Sequence, residues 1–208
     1  MNKTFLNLAA AAAMLMGASG AHAVVHTFNA SLAGTNEVPA SGATATGIAI
    51  LAYNTWGTAS LADDTYDFSM SVFGLSGGLV AGTAASAFHI HGAATTAENA
   101  PVRVALDAGP FLALNAGSTL LVGGSGVVAP VLIPATPVTG VNAGHPAMSF
   151  LDMLQGGLAY VNVHTALNPG GAVRGQLIQV SAVPEPSTYA MLLLGVAALG
   201  FVARRRQR

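Results

Sequence analysis

Three of the six histidines in this cysteine-free chain stand where strand alternation would put them to chemical use. His89 and His91 flank Ile90, so in an extended segment both leave one face while Phe88 and Ile90 leave the other. His164 ends Tyr160-Val161-Asn162-Val163-His164, where Val161 and Val163 alternate with Asn162 and His164, and it shares the polar face with Asn162. Three imidazoles meeting at a point make a metal site with an open fourth position, an arrangement that suits zinc or copper. The competing reading needs no metal: neutral imidazoles, hydrogen-bonded to backbone and to Asn162 or Asn168, closing one end of the domain. Both readings stay open on the residues alone.

A second polar pair stands out by scarcity. Outside its terminal segments the chain has two cations, Arg103 and Arg174, against seven carboxylates. Glu37 and Arg174 are therefore expected to form a structural ion pair tying the first loop to the last strand. The absence of cysteine excludes disulfides, thiolate ligands and thiol nucleophiles. Nucleophile elbow, phosphate loop and zincin helix are all missing; Gly123-Gly124-Ser125-Gly126 lacks the lysine of a phosphate loop. No residue is assigned a catalytic role, and a non-enzymatic reading is favoured. With so few basic residues in the central region, nucleic acid is excluded as a partner.

The elements that must carry these residues are short strands. Charged residues make up 7% of the 208, and 25 glycines and 10 prolines argue for many turns rather than long helices. Strands are expected over 24–32, 48–53, 66–72, 87–91 and 101–106, with two or three more within 109–144. Tyr66, Phe68, Met70 and Val72, alternating with Asp67, Ser69 and Ser71, make the clearest half-buried strand. Met148, Leu151 and Leu154 predict one short helix within 145–155, stopped at Gly156-Gly157. Residues 160–165 and 173–180 form a hairpin around Asn168-Pro169-Gly170-Gly171. The expected fold is all-β, an antiparallel Greek-key β-sandwich, immunoglobulin-like or superoxide-dismutase-like.

Both ends have a different composition. Residues 1–23 read as a secretory signal peptide, with Lys3, an apolar run from Leu6 to Met16, and Ala21-His22-Ala23 as the cleavage site; export through the Sec machinery follows. The folded domain is expected over 24–182. From 183 onward come Pro184-Glu185-Pro186, an uncharged, largely apolar run from Tyr189 to Ala203, and Arg204-Arg205-Arg206. That run is expected to form a hydrophobic helix that enters the inner membrane transiently, with the arginines on the cytoplasmic side.

Four pieces in order resemble the CHRD domain, the repeat first described in chordin. They are Phe28-Asn29-Ala30-Ser31-Leu32 with Asn36-Glu37-Val38-Pro39, Tyr66-Asp67-Phe68, His89-Ile90-His91-Gly92, and the run from Tyr160 to Leu177. The His-x-His strand is also similar to that of copper/zinc superoxide dismutase, though the chain lacks that enzyme's cysteines. The C-terminal segment resembles the PEP-CTERM sorting signal of Gram-negative bacteria. That resemblance implies removal by an exosortase in bacteria that typically make extracellular polysaccharide. The combined expectation is an exported protein of the cell envelope or extracellular matrix with a binding or structural domain, whose ligand is a polysaccharide or a protein. The alternative is a histidine-ligated copper or zinc protein, redox-active in one version; no cofactor is certain from sequence.

Overall fold

The structure is a computed structural model that describes residues 24–79, 87–128, 131–180, 193–196 and 204–205, with the backbone alone at 126–128. The expected signal peptide and sorting motif lie largely outside these residues. Among the described residues no helix is long and apolar enough to cross a membrane.

Among the described residues between 24 and 180, ten strands and one α-helix follow in chain order. They are β1 (Val25–Ala33), β2 (Thr46–Asn54), β3 (Thr65–Phe73), β4 (Phe88–His91), β5 (Val102–Ala105), β6 (Leu112–Ala116), β7 (Thr119–Val128), α1 (Phe150–Gln155), β8 (Tyr160–Val163), β9 (Val173–Gln176) and β10 (Ile178–Val180). All pairings are antiparallel, in the order β5-β4-β8-β9-β1-β2-β3-β7-β6, with β10 also on β1. The chain therefore crosses between distant parts of the sheet after β3, β5 and β7. This is the expected all-β class, built as one long sheet whose inner faces enclose a common core.

Alternation explains that core. Phe28, Ala30 and Leu32 of β1, Ala49, Leu51 and Tyr53 of β2, and Tyr66, Phe68, Met70 and Val72 of β3 point inward and are buried. They meet Phe88 and Ile90 of β4, Val161 and Val163 of β8, and Val173 of β9 in the same cluster. Helix α1 adds Phe150, whose ring lies 6.1 Å from that of Tyr53 and 5.4 Å from that of Tyr66. Ser149 caps this helix by accepting a hydrogen bond from the Asp152 amide.

Two local expectations differ from what is observed. The helix begins at Phe150, and its buried residues are Phe150, Met153 and Leu154, because Met148 is drawn into a β-bridge with Ile133. The return strand of the last hairpin is two strands: β9 pairs β8, and β10 pairs β1. The break falls at Leu177, which is fully buried and donates its amide to the Ala159 carbonyl at 2.9 Å.

Candidate metal centre

The histidines lie on the side of β4 and β8 that faces away from the apolar core. Since Phe88, Ile90, Val161, Val163 and Val173 fill the core side, alternation sends His89, His91, Tyr160, Asn162, His164 and Arg174 to the other. Register lines them up across the strands: His89 is opposite Asn162, which is opposite Arg174, and His91 is opposite Tyr160, which is opposite Gln176. This polar face is nonetheless buried, His89 at 2%, His91 at 8% and Arg174 at 1% exposed. The loop from Gly92 to Pro101 covers part of it, held down by Arg174, which donates to the carbonyls of Glu98 and Thr95.

The structure brings His89, His91 and His164 together, with one ring nitrogen of each inside a 4.8 Å span. His89 Nδ1 lies 3.1 Å from His91 Nε2. Nitrogens on one tetrahedral ion, with bonds of about 2.0–2.1 Å, sit roughly 3.3 Å apart, so this pair is already spaced for a shared ligand. The third must close the gap by ring rotation. Two backbone carbonyls set the tautomers. His91 Nδ1 donates to the Ala100 carbonyl at 2.8 Å and His164 Nδ1 to the Pro169 carbonyl at 3.0 Å. In both rings the lone pair then sits on Nε2, and that of His164 is buried without a partner. A carbonyl on the far nitrogen is the usual support for an imidazole ligand.

Electrostatics agree with a set of neutral donors. Burial pushes His91 down to about 3, against a smaller upward pull from its hydrogen bond to Ala100. Burial also lowers His164, opposed by its bond to Pro169. His91 thus remains unprotonated, and so able to ligate, well into the acid range, and burial moves His164 in the same direction. His91 stacks on Tyr160, with centroids 4.8 Å apart and planes 7° from parallel. The guanidinium carbon of Arg174 lies 3.5 Å from the centroid of the same tyrosine ring.

The expected ion pair is corrected by this arrangement. Among the described residues no salt bridge joins Arg174 to Glu37, although each charge favours the other's ionised form. Its donors go to the Glu98 and Thr95 carbonyls at 2.7 and 2.9 Å, and to Asn99 Oδ1 and Gln176 Oε1 at 3.2 and 3.3 Å. Glu37 instead accepts from Asn162 Nδ2 at 3.3 Å, and its Oε1 is buried without a partner. Burial raises its carboxyl to about 7, although the charge of Arg174 and the Asn162 hydrogen bond pull the other way. The carboxyl packs so closely on Gly171 (φ 140°) that a Cβ there would fall 2.6 Å from it. The glycine of the turn thus makes room for Glu37 as well as reversing the chain.

Sequence reasoning missed several members of this layer. His145, which has no motif around it, pairs with Glu98 at 2.9 Å. Glu98 also accepts from the amides of Thr95 and Ala143, and these bonds take its carboxyl down to about 2. Asn142 donates to the Ala93 and Asn99 carbonyls, which fixes the same loop from the other side. The only sequence signal was polarity within Gly- and Pro-rich stretches.

With this geometry in view, the class of protein is an all-β domain with a buried histidine cluster on one face of its sheet. The model of the CHRD domain matches residues 28–177, and the chain belongs to that family. The model of the PEP-CTERM protein-sorting motif matches residues 182–206. No curated protein and no solved structure matches the chain. The sorting motif makes this an exported protein of the Gram-negative type, recognised and processed by an exosortase.

Proposed function

We propose that the exported CHRD domain is a non-enzymatic binding domain whose ligand is a copper or zinc ion, held by His89, His91 and His164. The observation that carries this reading is the convergence of one nitrogen from each of the three rings within 4.8 Å, with the buried Nε2 of His164 left unpaired. A buried acceptor without a partner destabilises the fold by roughly 1–3 kcal/mol, and a bound cation removes that penalty. The donors are all imidazole nitrogen, which suits copper and zinc over magnesium or calcium.

Metal should therefore stabilise the folded state by mass action. At a free ion concentration a hundred times its dissociation constant, the gain is about 2.7 kcal/mol. Purified protein is expected to melt at a higher temperature as copper or zinc is added, and His164→Ala is expected to lose that response. A melting temperature indifferent to both metals would leave the histidines a purely structural role as a hydrogen-bonded cluster.

The domain boundaries and destination belong to the same proposal. The signal peptide is removed after Ala23, the domain ends near residue 182, and the segment from 183 is cut away beyond the inner membrane. The remainder then resides in the outer envelope or extracellular matrix, where a polysaccharide or another protein is its neighbour. Intact-mass measurement of the exported form should place its C-terminus near Pro184-Glu185-Pro186; a product still carrying Arg208 would contradict this.

A further inference from the structure

His164 Nε2 is not alone in lacking a partner. Asn162 Oδ1 and Glu37 Oε1 are also buried and unpaired, and all three belong to one polar layer. Asn162 stands directly opposite His89 across the β4–β8 pair, on the same side of the sheet. Its orientation follows from its bond to Glu37: the amide nitrogen faces Glu37 Oε2, which leaves Oδ1 as the free acceptor. An ion on the three imidazoles would satisfy His164 and leave both oxygens wanting a donor. Two such acceptors would define the chemistry of whatever enters a coordination position next to them.

Resting on the metal reading above, we propose that the fourth position of the three-imidazole centre opens toward Asn162 Oδ1 and Glu37 Oε1. It holds a small exchangeable molecule that donates hydrogen bonds. Water fills it at rest, and hydrogen peroxide or another neutral donor of that size can replace it. Bare anions are disfavoured, because their lone pairs would face an amide oxygen and, once Glu37 is ionised by the neighbouring cation, a carboxylate. Glu37 and Asn162 are thus specificity-determining residues of the centre. The centre is coordinatively open, unlike a closed structural site.

The test uses purified protein loaded with one equivalent of copper(II). Its electron paramagnetic resonance spectrum should show nitrogen splitting from the imidazoles. The lines should broaden in water enriched in the magnetic oxygen isotope. Azide, followed by its charge-transfer band, should bind weakly to the wild type and at least about tenfold more tightly to Glu37→Gln, a change of 1.4 kcal/mol. Glutamine keeps the shape of Glu37 and its bond to Asn162, and the isotope measurement needs no variant. Nitrogen splitting without isotope broadening would mean a closed fourth position and overturn this inference alone. So would equal azide affinity in the two proteins. Failure to take up copper would overturn the metal reading first and this inference with it.

Discussion

Arg174→Ala is expected to destabilise the domain by about 3 kcal/mol, a large share of a total stability of order 5–15 kcal/mol. Arg174 is 1% exposed and its guanidinium serves four oxygens, the carbonyls of Thr95 and Glu98 and the side chains of Asn99 and Gln176. Truncation leaves the buried Glu98 carbonyl without its donor, opens three half-buried hydrogen bonds and removes the cation from the face of Tyr160. The loop that covers the histidines would then be released on its Arg174 side. Arg174→Lys keeps the charge but not the planar fork, so it should recover only part of the loss. Urea unfolding measures both; a shift below about 1 kcal/mol for the alanine variant would show that water replaces the guanidinium.

The contrast between Arg174 and the histidines explains what could be read without coordinates. Two histidines separated by one residue share a strand face by covalent geometry alone, so the His89–His91 pair was legible from the sequence. His164 required more. Its meeting with the pair depends on β8 lying beside β4, a pairing between segments some seventy residues apart that no local pattern encodes. The polar face of the 160–164 run was readable, and so were the inward residues of β3, because alternation is a local property. Arg174 was misjudged for the opposite reason. Opposite charges suggested Glu37 as its partner, but a guanidinium has five donors and is as well served by carbonyl oxygens. Those oxygens come from the 92–101 loop, whose sequence shows only that it is polar. The split between β9 and β10 was equally hidden, since Leu177 continues an apolar alternation and gives no sign of the break.

Glu37→Gln is expected to stabilise the metal-free protein at neutral and alkaline pH and to do almost nothing in acid. The carboxyl rises from an ordinary value of 4.5 to about 7 in the folded protein, mainly through burial. Between those two values the folded state binds more protons than the unfolded one, so stability falls as pH climbs through the window and stays low above it. The full effect corresponds to about 3 kcal/mol. His91 works in the other direction: with its folded value near 3 against 6.5, the unfolded state binds more protons, and its contribution grows from pH 3 to 6.5. His164 shifts the same way. The wild-type profile mixes these opposing slopes, whereas the difference between wild type and Glu37→Gln isolates the carboxyl. That difference should be near zero below pH 4.5, rise toward pH 7 and level off. Unfolding in urea with a chelator present, repeated across this range, measures it. A difference that does not vary with pH would mean that the carboxylate is solvated in the folded state. Adding copper or zinc should shrink the alkaline plateau, because a nearby cation favours the charged form of Glu37 and removes the advantage of the neutral amide.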